Sequence, residues 1–370
     1  MTPPPSSHRN PRLLLVWGTL ASVVSSGLFV WPLHLVQVSG QNGGLVLLVV
    51  VGWSAIIALL SPWHALGGLS GRIEEALNLI AGVLTVLIDA LMLIELSAMM
   101  QTFYYFATPR FAFLLPLIAL LIWVAAAHPE ATLWRMVQLW TPILAVGSSL
   151  VLAVASINIR HLRVLLPNQQ IVIWPLIHGL FILSYLELPL RLTLRSIRPL
   201  LAETPAVAWR VAAAVYPWPF LMMFYLVAMG TLGPAALVNV RWPLVFTLNH
   251  VTLDSTFFLS RIGIVVVFGW TVGVALGLMV HLRVVSMALG RWWRPGVAVL
   301  PYPVGLLWIV APLLVPSPTR ASTLLLGYLD PAAAVYLAVE LLCLILWRVT
   351  GASRRRSAAP RLDREQPQGR

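Results

Sequence analysis

The chain has 370 residues, 59% of them hydrophobic and 10% charged, with a formal net charge of +12 and a mean hydropathy of +0.89. A soluble domain carries roughly 25% charged and 45–50% apolar residues, so a water-soluble globule is excluded, and the hydrophobicity excludes intrinsic disorder. A polytopic membrane protein is what this composition allows.

Ten apolar runs of spanning length follow along the chain: 13–37, 43–61, 76–106, 111–127, 132–157, 171–197, 207–232, 257–289, 297–315 and 324–349. They form one transmembrane domain, 13–350, between an N-terminal segment, 1–12, and an Arg-rich tail, 351–370, whose composition predicts disorder. Arg9 and Arg12 precede the first run as they would in a signal peptide. The run continues through 28–36, so a span is the better reading. Residues 233–256 exceed a simple turn and predict a short interfacial helix around Trp242-Pro243.

All 24 basic residues are arginine. With the N-terminus in the cytoplasm, 18 fall on the inner side, and Arg110, Arg160, Arg163, Arg241, Arg261 and Arg320 fall outside. This bias predicts an integral, multi-pass protein with both termini cytoplasmic. The positive charge is thereby absorbed as topology charge, and Arg354–Arg356 as an anchor on the lipid bilayer; no nucleic-acid partner is implied. The single cysteine, Cys343, lies in an apolar run, which excludes a disulfide framework.

Two spans carry interruptions five helices apart. The first has Ser25-Ser26-Gly27 followed by Pro32, and the sixth has Ser184-Tyr185-Leu186-Glu187-Leu188-Pro189. Paired breaks in matching halves point to a midplane binding site in a five-plus-five inverted repeat, with broken first and sixth helices. Ordinary proline kinks are the competing reading. Intramembrane ionisable residues are few: Asp89, Glu95, Glu187, Arg191 and Glu340. Each costs about 2.5–3.5 kcal/mol on insertion scales, so each is a functional candidate. Glu187 and Arg191 are spaced for an intrahelical pair. Asp89 and Glu95, six apart, face directions roughly 120° from each other. His178 and His281 suit hydrogen bonding to neighbouring helices. No Ser/His/Asp arrangement, phosphate-cradling loop or metal-ligand spacing stands out. The chain is therefore read as neither an enzyme nor a cofactor protein.

The stretch Ser25-Ser26-Gly27-Leu28-Phe29-Val30-Trp31-Pro32, followed by Ser39-Gly40-Gln41-Asn42-Gly43-Gly44, resembles the opening of the spore germination permeases. These are the B subunits of nutrient germinant receptors, a branch of the amino acid/polyamine/organocation transporters. Glu95 to Thr108-Pro109, His128-Pro129-Glu130 to Arg135, Gly230–Gly233 to Trp242-Pro243, and Phe258-Leu259-Ser260-Arg261 with Trp270 are similar to later motifs of that family in the same order. Three positions depart: Ser25 replaces a glycine, Ile94 an arginine, and Tyr185 the glycine before the sixth-helix acid.

The resemblance implies a receptor subunit in the inner spore membrane that binds a small nutrient, such as an amino acid, and signals to A and C subunits. Ser25, Ser26, Gly27, Glu95, Ser184, Tyr185, Glu187 and Arg261 are then the ligand-binding candidates, with backbone N–H groups around Ser25–Gly27 holding a carboxylate. A secondary amino acid or polyamine transporter is the alternative, and a scaffolding subunit a third. The chain has no lysine, which disfavours a lysine-dependent form of the transporter.

Overall fold

The computed structural model describes residues 11–27, 31–61, 68–103, 107–128, 130–166, 172–198, 201, 205–249, 262–290, 292 and 299–357. Among them every regular element is helical. α1 (Pro11–Gly27) and α2 (Trp31–Ser39) together occupy the first predicted span. α1 runs through Ser25-Ser26-Gly27, and the junction at 28–30 lies outside the described residues. A 3-10 turn at Gly40–Asn42 carries the chain into α3 (Gly43–Leu60). Gly40 starts that turn at φ +54°, a left-handed conformation that favours glycine.

α4 (Gly68–Phe103), α5 (Phe111–Ala127), α6 (Glu130–Ser156) and α7 (Ile173–Ile197) follow. The seventh predicted span is two helices, α8 (Val207–Val215) and α9 (Pro217–Leu232), divided at Tyr216 because Pro217 has no N–H to continue the ladder. Gly233, at φ +74°, ends α9. The predicted interfacial segment holds the short helices α10 (Pro234–Leu237) and α11 (Pro243–Asn249). α12 (Ile262–Gly290) and α13 (Pro301–Leu314) come next. Then α14 (Pro318–Leu324), a π turn at Leu325–Leu329 and α15 (Asp330–Ser357) form one continuous rod.

One expectation is corrected. α7 is not broken: it stays helical from Ile173 to Ile197 through Ser184–Pro189. Residues 182–193 of α7 are buried in protein, and an unwound turn there would leave backbone groups unpaired without water. Pro189 is accommodated inside the helix instead. α15 runs to Ser357, and the rest of the predicted tail, 358–370, lies outside the described residues.

Seven helical segments are long and apolar enough to cross a membrane, and Arg12–Ser25, Phe111–Ala127 and Pro301–Leu314 are shorter apolar helices. The chain is an all-α, membrane-embedded protein. The segments of α4 and α12 are 72% buried, whereas those of α6 and of the α14–α15 rod are 22% and 28% buried. The peripheral helices turn residues such as Leu139, Val146 and Leu150 outward, as a hydrocarbon-facing surface requires.

α1 is central and packs on α6, α7, α8 and α12. It packs tightly at Gly277 of α12, where an added Cβ would lie 2.1 Å from the Ser25 Cβ and 2.5 Å from the Ala21 carbonyl oxygen. Small residues at a crossing let helices pack without a hydrophobic driving force.

Candidate functional site

Polar side chains inside the bundle meet in a series of links along α4 and α7, because in hydrocarbon each needs a partner from another helix. At the C-terminal end of α4, Glu95 is fully buried and accepts from Arg241 Nη2 at 2.6 Å and Nε at 3.2 Å, and from Ser322 Oγ at 2.8 Å. Arg241 also donates to Thr319 Oγ1 at 3.1 Å and sits 5.7 Å from the centre of the Trp242 ring. The sequence placed Arg241 among the outer-loop charges. The only signal for its pairing was a loop arginine beside Trp242-Pro243 near the predicted level of Glu95.

Six residues earlier on α4, about 9 Å along the axis, Asp89 is the centre of a second link. Its Oδ1 and Oδ2 lie 2.9 and 3.0 Å from His281 Nδ1. The other ring nitrogen, Nε2, lies 2.8 Å from Ser22 Oγ and 3.1 Å from the Ser22 carbonyl oxygen. Thr193 Oγ1 donates to Ser22 Oγ at 3.0 Å. Asp89, Ser22 and Thr193 are fully buried and His281 is 1% exposed. This chain joins α4, α12, α1 and α7, and corrects the expectation that no Ser/His/Asp arrangement exists. Its members lie far apart in sequence, so only the helix packing reveals it.

The third link is within α7: Arg191 Nη2 pairs with Glu187 Oε2 at 2.8 Å, and Ser54 Oγ of α3 donates to Glu187 Oε1 in a short hydrogen bond. Further along α7, Arg195 donates to Asn78 and Tyr336, each at 3.0 Å, and to Glu340. Arg198 pairs with Glu74 at 3.0 Å.

The predicted ligand residues do not converge on one cavity. Ser25 is buried, donating to the Ser22 carbonyl at 2.8 Å, and Ser26 and Gly27 end α1. Glu95 belongs to the Arg241 link. Ser184 and Glu187 line a cavity of ≈ 220 Å³ between α3, α7 and α15. Tyr185 is buried on a different side, with its N–H donating to Asp330 Oδ1 at 3.2 Å. Arg261 lies outside the described residues. Asp330, 2% exposed, was missing from the sequence-derived set although it lies within the tenth run; Asp330-Pro331 was the available signal.

Tyr185 Oη and His34 Nε2 are buried with no hydrogen-bond partner among the described residues, and His34 Nδ1 lies 3.1 Å from Gln37 Oε1. Among the described residues, no three His, Cys, Asp or Glu side chains are grouped to hold a metal ion. Neither a scan against protein-family models nor a search of curated proteins finds a match to the chain.

Proposed function

We propose that the chain is a permease-type protein of two five-helix halves that binds a small zwitterionic solute and links its occupancy to a proton on the Asp89–His281 pair. The halves pair α1–α2 with α7, α3 with α8–α9, α4 with α12, α5 with α13, and α6 with the α14–α15 rod. Under that correspondence the helix contacts match in kind. α1 on α6 answers α7 on α15, and α1 on α12 answers α7 on α4. Likewise α3 on α7 answers α8 on α1, α12 on α5 answers α4 on α13, and α12 on α6 answers α4 on α15. Five spans per half reverse the second half across the bilayer, with both termini cytoplasmic.

The observation that carries the reading is the buried chain Asp89–His281–Ser22–Thr193. Nε2 of His281 faces a hydroxyl and a carbonyl, and a carbonyl only accepts. A protonated ring donates to both Asp89 and Ser22. Once the Nε2 proton leaves, the nitrogen accepts from the Ser22 hydroxyl but repels the Ser22 carbonyl. Proton occupancy thus biases how α1 seats against α12 and α7, the differential contact that a two-state permease needs. Enclosure of all four groups suits proton handling rather than turnover of a bulky substrate, so no enzymatic step is proposed.

The candidate ligand set is Ser25, Ser26, Gly27, Glu95, Ser184, Tyr185, Glu187 and Arg261, of which Ser184 and Glu187 line the cavity between α3, α7 and α15. The Tyr185 hydroxyl, buried with no hydrogen-bond partner among the described residues, supports Tyr185 as a member of that set. The resemblance to germination permeases gives the biological form: a nutrient-sensing B subunit in the inner spore membrane, signalling to A and C subunits. That form rests on motif order. Secondary transport is the second reading, favoured by the intramembrane carboxylate–imidazole pair.

Purified protein in liposomes with an internal pH dye tests this. Amino acid addition is expected to drive proton uptake, or to bind without flux in the sensor form, and Asp89→Asn is expected to remove the pH dependence of either. Absence of binding and flux with every amino acid and polyamine would overturn the reading.

A further inference from the structure

The cavity of ≈ 220 Å³ between α3, α7 and α15 has largely apolar walls, among them Val50 and Trp53 of α3, Phe181 and Leu183 of α7, and Ala334 and Leu337 of α15. Its polar lining is Ser184 and Glu187. These stand three apart on α7, so they share a face, and they are 7% and 2% exposed. Val49 and Phe181 of the lining are 48% and 44% exposed, so the cavity also reaches the outer surface of the bundle, where hydrocarbon would complete the wall. The charge at the polar end is balanced. Glu187 Oε2 lies 2.8 Å from Arg191 Nη2, and Ser54 donates to Oε1. A carboxylate offers about four lone-pair sites, so Glu187 retains acceptor capacity beyond these two contacts. Ser184 Oγ donates to the Leu180 carbonyl at 3.1 Å, and a hydroxyl that donates also accepts. Arg191 is 2% exposed, and its Nε has no hydrogen-bond partner among the described residues.

We infer that the solute is an amino acid with a large apolar side chain, of the class of phenylalanine and leucine, its ammonium on Ser184 and Glu187 and its side chain against the apolar walls. The inference rests on the permease reading above for the existence of a zwitterionic solute, and adds which class of solute it is. Size agrees. A cavity of about 150 Å³ holds benzene, so ≈ 220 Å³ takes a phenyl or isobutyl group together with the atoms that join it to the ammonium. Charge agrees as well. Because Arg191 already balances Glu187, a bare amine would bury an uncompensated positive charge, which is costly away from water. A zwitterion brings its own counter-charge, and Arg191, one turn along α7, has an Nε donor to offer its carboxylate. Aspartate or lysine would set a second charge among apolar walls at the same kind of cost. Glycine would leave those walls without a partner.

The test titrates the full-length protein in maltoside micelles by calorimetry with phenylalanine, leucine, tryptophan, glycine, aspartate, lysine and phenethylamine. Phenylalanine and leucine are expected to bind roughly tenfold to a hundredfold more tightly than glycine, the gain from burying one large apolar side chain. Aspartate, lysine and phenethylamine are each expected to bind at least about tenfold more weakly than phenylalanine. Two cavity variants are expected to move selectivity in opposite directions, which a general loss of fold would not do. Ala334→Leu narrows the cavity and is expected to cut the preference for phenylalanine over glycine about tenfold, whereas Leu337→Ala widens it and is expected to raise the affinity for tryptophan relative to leucine. Glycine or aspartate binding as tightly as phenylalanine would overturn the inference while leaving the permease reading standing. So would phenethylamine matching phenylalanine, or unchanged selectivity in both variants. Absence of binding by every amino acid would overturn the permease reading itself, and the inference with it.

Discussion

Replacing Asp89 by Leu removes the partner of an imidazole ring buried at the crossing of α1, α4, α7 and α12. The Nδ1–Oδ contacts are 2.9 and 3.0 Å. Breaking such a buried pair from one side costs roughly 3–5 kcal/mol, because the member left behind is buried with neither partner nor water. That is well above the about 0.6 kcal/mol average of a single hydrogen bond between membrane helices. Asp89→Leu and His281→Leu are each expected to cost about 3–5 kcal/mol in reversible unfolding from mixed micelles. The double variant is expected to cost less than either single change, since two apolar residues of similar volume are tolerated. A double variant whose loss equals the sum of the singles would refute the pairing and the proton role built on it.

Arg241→Gln leaves Glu95 buried without its main partner, and is expected to lower stability by about 3–5 kcal/mol, with most of the loss restored by adding Glu95→Gln; thermal unfolding of the three proteins reads it. Gly277→Val drives a side chain against the Ala21 carbonyl and Ser25, costing about 3 kcal/mol or more and showing as loss of monodisperse protein on gel filtration. Gly305→Ala meets the flexible end of Ile122 instead, 2.2 Å from its Cδ1, so a cost of about 1–2 kcal/mol is expected, relieved by Ile122→Ala. Arg195→Lys gives up a planar fork that reaches Asn78, Tyr336 and Glu340 together, and is expected to lower the unfolding temperature although the charge is kept.

The polar links along α4 and α7 also account for how helices without a hydrophobic driving force between them hold a single register. Glu74, Asn78, Asp89 and Glu95 of α4 each have a partner on a different element or at a different level. Sliding α4 by one turn would break all four at once.

Composition and hydropathy were sufficient for the membrane class and for the approximate extents of α3, α5, α6 and α12, because a bilayer demands about 20 apolar residues per crossing. The Glu187–Arg191 pair was legible as well, being four residues apart on one helix. Continuity of α7 was not. The prolines and polar residues that break a helix in water are held in line here by burial on every side. Nor was the partner of any residue whose partner is remote in sequence. Asp89 meets His281 across 192 positions and Glu95 meets Arg241 across 146, and periodicity carries no information about which helix stands opposite. Individual residues announced that they needed partners, through the cost of a charge in hydrocarbon. The packing of α1 between α7 and α12 decided which partners they found.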